Sequence, residues 1–171
     1  MTVGRIVAEN NIHGEIGGFR RSKSRKKLVV VGNFDQKDGY TKHLIQLRGS
    51  NSNIVFLDPV YKREDLGTLR KNCFGYIQAK QTGGTSPSLL EQMLFKRPVI
   101  AYDVPYNREV LQGSGVYFRD KDSLASAIEM LERGGIDLKT MAEWQARRIE
   151  EEYNWDYVAG KYSSLFKKLI G

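Results

Sequence analysis

Short apolar runs that alternate with stretches of helical period constrain the fold of this chain more than any other feature. Six runs rich in β-branched and aromatic residues are candidate strands, at 2–7, 27–33, 53–57, 74–78, 98–102 and 115–118. Between the first two, Ile12, Ile16 and Phe19 recur at helical spacing. Because most of the runs are almost continuously apolar, they fit a sheet that is covered on both faces.

This alternation of strands and helices predicts an α/β fold with a doubly wound, parallel, six-stranded Rossmann-like sheet and right-handed crossovers. After residue 120 no further strand is expected, and three helices follow at 121–133, 137–152 and 155–169. The last helix has an apolar stripe beside lysines and needs a surface to pack against. The length of 171 residues fits one domain, 1–171.

Composition limits the partners and the compartment. The chain has 27 Lys and Arg against 20 Asp and Glu, a net charge of +7 that favours an anionic partner without choosing among them. The single cysteine, Cys73, excludes a disulfide framework and favours a reducing, cytoplasmic compartment. We expect neither a signal peptide nor a transmembrane helix, because no apolar run approaches the roughly 18 residues that a membrane span needs.

The segment QTGGTSPSLLEQM, residues 81–93, places a glycine turn directly before a helix. Ser86 and Pro87 match an N-cap and a first helical proline, so the helix is predicted from 87 to about 94. Gly83 and Gly84 let a ligand approach the backbone N–H groups at the positive end of the helix dipole, an arrangement that suits phosphate.

Glu91 lies off the buried stripe of this predicted helix, on its early turns. A carboxylate there can accept hydrogen bonds from two neighbouring hydroxyls, such as those of a ribose. A plain glycine turn followed by a solvated glutamate remains the alternative.

Several segments resemble the nucleotide-sugar-binding half of GT-B fold glycosyltransferases. They are GGTSPSLLEQM, RPVIAYDVPYNREVL, GVYF and the closing EEYNWDYVAGKYSSLF. More narrowly, GRIVAENNIHGEIGGFRRSKSRKKLVVVGNF is similar to the C-terminal part of bacterial rhamnosyltransferases of family 4 type, which build cell-surface polysaccharides. The resemblance covers essentially the whole chain, and the segments occur in the expected order.

The resemblance implies specific roles for matching residues. Arg5 corresponds to the arginine that contacts the donor diphosphate, a task that suits guanidinium geometry. The turn whose backbone cradles the same diphosphate corresponds to Gly83, Gly84 and Thr85. Glu91 corresponds to the second of two glutamates eight positions apart, the one that holds the ribose. Residues expected in a cleft-facing loop after the fifth strand, with a solvated surface loop as the alternative, are Asn107, Arg108 and Glu109.

The chain also departs from the pattern of these transferases. Gly83 stands where the first glutamate would lie, as in the rhamnosyltransferase-like subgroup, and this points to the type of donor. Asn10 replaces a basic residue near the cleft, which leaves Arg5 to carry more of the diphosphate charge alone. Gln78 and Lys80 replace histidines that are common in the subgroup, so specificity is altered or activity is lost.

A complete GT-B enzyme needs roughly 350 to 400 residues, because the acceptor binds on a second half of similar size. The resemblance therefore implies a donor-binding half that binds a dTDP-rhamnose-like donor or a UDP-sugar. It transfers a hexosyl group to a saccharide or lipid-linked acceptor held by another half, and the isolated domain is expected to be inactive. A non-catalytic nucleotide-sugar-binding or regulatory module is the alternative. GRIVAENN lacks the G-x-G-x-x-G pattern of a nicotinamide-dependent enzyme.

No metal or other cofactor is expected, because no Asp-x-Asp motif flanks a predicted strand end. Of the two histidines, His13 could approach the cleft but is better interpreted as structural, and His43 as a surface residue. The basic run at 20–27 is interpreted as a solvated face, with attachment to the inner face of the cell membrane as the alternative. We expect no nucleic-acid binding, because no aromatic platform accompanies the basic residues.

Overall fold

Strands and helices alternate along the chain in a computed structural model that describes residues 1–134 and 137–170. The strands are β1 (Thr2–Val3), β2 (Leu28–Val31), β3 (Ile54–Leu57), β4 (Tyr76–Gln78), β5 (Val99–Tyr102) and β6 (Val116–Phe118). The helices are α1 (Ile12–Arg21), α2 (Gly39–Arg48), α3 (Arg63–Asn72), α4 (Pro87–Met93), α5 (Pro105–Leu111), α6 (Lys121–Arg133), α7 (Leu138–Glu152) and α8 (Trp155–Ile170).

The six strands form two parallel three-stranded sheets, β1-β2-β3 and β4-β5-β6. All six predicted strands are present and every pairing is parallel, which confirms the α/β, Rossmann-like class. The two groups of three strands contain the six strands that were predicted. The first strand is shorter than predicted: β1 ends at Val3, and a short 3₁₀ turn follows at Ala8–Asn10.

The two sheets meet along β1 and β4. The Met1 amine donates a hydrogen bond to Gly75 O at 2.7 Å, and Ile77 N–H donates to Met1 O at 2.9 Å. This is the pattern of a parallel pair, so the strands run in the spatial order β3-β2-β1-β4-β5-β6. The order reverses between β1 and β4, where doubly wound folds bind their ligands beyond the carboxyl ends of the strands.

Both faces of the sheets are covered, as the apolar strands require. On one face, Ile77 and Ile100 pack with side chains from α1, α2 and α6. On the other face, Tyr76, Val99 and Ala101 pack with side chains from α4, α5 and α7. Alternate residues of one strand therefore face opposite layers.

The C-terminal helices begin and end close to their predicted boundaries. The Asp120 side chain accepts hydrogen bonds from the backbone N–H groups of Asp122 and Ser123, which fixes the start of α6 through a capping box. In contrast to α6 and α7, α8 has no buried residue, and Trp155 and Leu169 are largely exposed. The apolar stripe predicted on this helix thus faces outward.

Gly18 provides a test of the packing between α1 and α6. A methyl group at Gly18 would lie 2.6 to 2.8 Å from three atoms of Leu124, which is fully buried and cannot move aside freely. We expect Gly18→Ala to lower the free energy of unfolding by about 1–3 kcal/mol, measured by denaturant titration. Gly160→Ala on α8 is the matched control. No atom of the residues that the structure describes lies within 4 Å of its added carbon, so stability should stay equal or rise. Equal stability of both variants would contradict this packing.

Candidate ligand-binding site

A cavity of about 330 Å³ lies where the carboxyl ends of β1 and β4 meet. Residues of the loop after β1 form one wall, and residues that follow β4 and begin α4 form the opposite wall. The two walls are tied together, because Ser88 Oγ of α4 donates to Val3 O at 3.1 Å and lies 2.8 Å from Tyr76 OH of β4. The site therefore sits at the reversal of strand order, where the fold favours ligand binding.

Arg5 and Asn10 lie together at this cavity. Both line it, and Asn10 Nδ2 donates to Arg5 O at 2.7 Å, which fixes the loop that carries the arginine. Arg5 itself is exposed, so its guanidinium is accessible to a ligand. The structure thus brings together the two residues that sequence analysis placed after the first strand.

The predicted glycine turn lies at the rim of the site. Gly83, Gly84 and Thr85 are exposed and lie outside the cavity lining. Gly83 has a φ of 95°, a conformation that favours glycine and explains its place in the turn. The helix α4 begins at Pro87 as predicted, but Ser86 at the N-cap makes no side-chain capping bond. Because α4 has only seven residues, its dipole is a minor contribution to anion binding.

Lys80 is a functional candidate whose position sequence analysis did not recognise. It lines the cavity, and a methyl group at Gly83 would lie 3.0 Å from Lys80 Nζ, so the lysine side chain packs against the glycine turn. A second basic residue therefore lies at the cavity with Arg5, and the expectation that Arg5 carries more of the diphosphate charge stays a prediction. The position of Lys80 just after β4 was the sequence signal that could have identified it. Gln78, which is buried, lines the same cavity.

Glu91 is held by a buried arginine. Arg70 Nη2 lies 2.9 Å from Glu91 Oε2, and the side chain of Arg70 is 2% exposed while that of Glu91 is 60% exposed. Arg70 also donates to Ser88 O, Ser88 Oγ and Gln92 Oε1, so its position is fixed by several contacts. Glu91 lies outside the cavity lining, one turn along α4 from Ser88. An arginine among the leucines of α3 gave no sequence signal of this role.

Glu15 on α1 is a second candidate that sequence analysis missed. It lines the cavity and is 1% exposed. Its Oε2 has no hydrogen-bond partner within residues 1–134 and 137–170. Burial raises the pKa of its carboxyl well above the ordinary value, against smaller opposing effects of the Met1 amine and the Thr2 side chain. The wall of the site thus contains a carboxyl group that favours its neutral form.

The prediction that Asn107, Arg108 and Glu109 lie in a cleft-facing loop is wrong in its location, because all three belong to α5. Asn107 is fully buried and donates to Tyr102 O at 2.9 Å. Arg108 and Glu109 form ion pairs with Asp103 and Arg148. None of the three lines the cavity, and their role toward a sugar stays a prediction. The proline at 105 begins a helix here because its fixed φ suits the first helical position.

The histidines and the basic run lie away from this cavity. His13 Nδ1 is 3.0 Å from Tyr40 OH, and burial and the nearby His43 lower the pKa of His13. This environment fits the structural interpretation. The basic run at 20–27 covers the end of α1 and the segment before β2, at the amino end of the strands. It therefore lies at the opposite edge from the cavity.

Neither a metal cluster nor a membrane-spanning helix is found in the part of the chain that the structure describes. No group of three or more His, Cys, Asp or Glu side chains in residues 1–134 and 137–170 is placed to hold a metal ion. No helix within those residues is both long and apolar enough to cross a bilayer. The absence of a metal requirement stays a prediction.

Solved structures with the same fold include a glycosyltransferase, a sucrose-phosphate synthase and a protein in complex with UDP. A glycosyltransferase from Rickettsia africae has a TM-score of 0.83 at 14% identity, over 99% of this chain and 47% of that one. Sucrose-phosphate synthase from Thermosynechococcus elongatus has a TM-score of 0.82 at 18% identity, over 99% and 45%. Anabaena HepE in complex with UDP has a TM-score of 0.77 at 17% identity, over 98% and 48%.

These likenesses establish the fold, and the chain spans about half the length of each of the three proteins. The sequence also matches the family model described as glycosyl transferases group 1, over residues 1–150. Since the match includes every strand and most of the helices, the chain belongs to the group 1 glycosyl transferases and corresponds to one Rossmann-like half of a GT-B fold.

Proposed function

We propose that this domain binds a nucleoside diphosphate sugar, a dTDP-rhamnose-like donor or a UDP-sugar, for transfer of its hexosyl group. One observation carries the proposal: in a group 1 glycosyl transferase domain, Arg5 and Lys80 both line a cavity at the carboxyl ends of β1 and β4. Two cations from opposite walls suit a diphosphate, whose charge is spread over several oxygens.

The same cations suit the reaction itself. Transfer breaks the bond between the anomeric carbon and the diphosphate, which gains negative charge as it leaves. Arg5 and Lys80 would stabilise that charge, and the narrow cavity would hold the sugar for attack by an acceptor hydroxyl. The proposal requires no metal ion or other cofactor, since protein cations can supply the electrostatic stabilisation.

Glu91 is proposed to hold the nucleotide ribose. Arg70 engages one of its carboxylate oxygens, Oε2, and so orients the group at the exposed side of α4. A carboxylate fixed in this way can accept hydrogen bonds from sugar hydroxyls without first losing side-chain entropy. Glu91 lies outside the cavity lining on the helix whose first residues line it, so the proposal places the diphosphate inside the cavity and the ribose outside it.

The structures of related folds support a nucleotide ligand. HepE is solved with UDP, and the pneumococcal O-GlcNAc transferase GtfA with UDP and GlcNAc, at 17% and 16% identity to this chain. We propose that the acceptor is a saccharide or lipid-linked saccharide held by a second half, in the cytoplasm or at the inner face of the cell membrane. The family 4, rhamnosyltransferase-like assignment in polysaccharide synthesis belongs to the same proposal.

A non-catalytic nucleotide-sugar-binding module is the second candidate. It is favoured by Gln78 and Lys80, which stand in the cavity where the similar rhamnosyltransferases have histidines. Incubation of the domain with its acceptor half and radiolabelled UDP-glucose or dTDP-rhamnose separates the two candidates. Labelled product supports the transferase, and nucleotide binding without product supports the module.

Arg5→Ala tests the diphosphate assignment. We expect at least a tenfold weaker Kd for UDP and for inorganic pyrophosphate in isothermal titration, because a charge-assisted hydrogen bond contributes about 1.5–3 kcal/mol. The control is Arg25→Ala, an exposed arginine of the basic run outside the cavity, which should bind as the wild type does. Equal weakening in both variants would indicate a non-specific charge effect instead of a site.

Glu91→Ala separates the ribose from the diphosphate. We expect this variant to bind UDP about tenfold more weakly and inorganic pyrophosphate as well as the wild type, because only the ribose contact is lost. Stability should fall, because the buried Arg70 loses its carboxylate partner and keeps only Ser88 and Gln92, so melting curves check that the variant is folded at the temperature of the titration. Glu64→Ala, an exposed carboxylate on α3, is the control. A parallel loss of pyrophosphate binding in Glu91→Ala would disprove the assignment to ribose.

A further inference from the structure

Glu15 combines three features that together favour a ligand-binding role. It is 1% exposed, it forms part of the cavity wall, and its Oε2 lacks a hydrogen-bond partner within residues 1–134 and 137–170. Most buried polar atoms in folded proteins are paired, since an unpaired one costs about 1–3 kcal/mol. Because Glu15 lines the cavity and its Oε2 is buried without a partner in those residues, a small turn of the side chain would let a bound ligand supply that partner.

The groups around Glu15 determine which form of the carboxyl is present. The Met1 amine and the Thr2 side chain favour the carboxylate, but burial opposes them and has the largest effect. The phenols of Tyr40 and Tyr76 are close enough for a charge on Glu15 to raise their pKa values. Lys121 of α6 packs against Gly17, which lies on α1 as Glu15 does. Across the cavity are the two cations, Arg5 and Lys80.

We propose that Glu15 is a direct ligand contact whose protonated carboxyl donates a hydrogen bond from Oε2 to a diphosphate oxygen of the donor. This inference rests on the proposed function, because it takes the diphosphate to occupy the cavity beside Arg5. A carboxylate at this place would repel the diphosphate, whereas the neutral acid donates a hydrogen bond and adds no charge. Glu15 thereby makes donor binding depend on a proton that the protein itself holds.

The proposal has a defined effect on affinity. The bound diphosphate favours the protonated form of Glu15 further, so the complex holds more protons than the free protein at pH values above the pKa of free Glu15. Affinity must therefore fall as pH rises through that pKa, by at most about tenfold per pH unit for one proton. Below that pKa, the affinity should not change with pH.

The proton on Glu15 can also be detected without a ligand, through the pH dependence of stability. Since the pKa of Glu15 is raised in the folded state, the folded protein binds more protons than the unfolded chain above the ordinary value of 4.5. The free energy of unfolding therefore falls as pH rises from that value through the raised pKa. Glu15→Gln lacks this proton, so its melting temperature relative to the wild type should rise with pH.

The decisive experiment measures the Kd of UDP-glucose and dTDP-glucose by isothermal titration from just above pH 4.5, the ordinary pKa, to about pH 9. These donors carry diphosphate diesters, whose own charge is constant over this range. We expect the wild type to lose affinity with rising pH and Glu15→Gln, which keeps a donor but cannot lose a proton, to show a flat profile. Glu15→Leu should bind about tenfold more weakly at low pH and be equally flat.

Gln145→Leu is the matched control. Gln145 is also fully buried, and its Oε1 has no hydrogen-bond partner among the described residues, but it lies on α7 outside the cavity. This variant should keep the wild-type affinity and pH profile. The melting curves of all variants show whether they fold. If Glu15→Leu does not fold, the pH profiles of the wild type and Glu15→Gln alone test the inference.

Parallel pH profiles of the wild type and Glu15→Gln would overturn the inference. If Arg5→Ala weakens binding but the Glu15 variants match the wild type, the proposed function stands and only the role of Glu15 is wrong. If neither donor binds the wild type at any pH, the proposed function fails and the inference fails with it.

Discussion

The parallel pairing of β1 with β4 is the interaction on which the rest of the structure depends. Two backbone hydrogen bonds at Met1 join the two three-stranded sheets. A third link is the contact of Val3 O with Ser88 Oγ and Tyr76 OH, which fixes the start of α4 against the end of β1. The loop after β1 and the loop after β4 consequently face each other across a short distance, and the cavity is the space between them.

The charges at this junction act together. Arg5 and Lys80 come from opposite walls, while the carboxyl of Glu15 is buried between the sheet and α1. Burial disfavours the charged form of Glu15, so the net field in the cavity stays positive and suits an anion. Glu91, by contrast, is exposed and forms an ion pair with Arg70. Two glutamates in one domain thus have different chemistry because their surroundings differ.

Sequence analysis located the elements well and the site only in part. Apolar periodicity identified the strands, and the proline and glycine signals identified the start of α4. Arg5 and Asn10 were found because they follow the first strand. Lys80 was treated as a departure from a family pattern, and Asn107 was assigned to a cleft-facing loop, whereas it is buried on α5 outside the cavity lining. These errors share one cause, because strand order and the direction of a side chain are not encoded locally.

By itself the sequence determined the α/β class, the parallel sheets and the existence of a glycine turn before a helix, because these depend on residue period and backbone propensity over a few positions. Only the tertiary structure decided that β1 lies beside β4, that Lys80 faces the cavity, and that Glu15 and Arg70 are buried. The physical reason is that desolvation and charge pairing arise between residues that are tens of positions apart. Their chemistry is therefore fixed only when the strands have assembled.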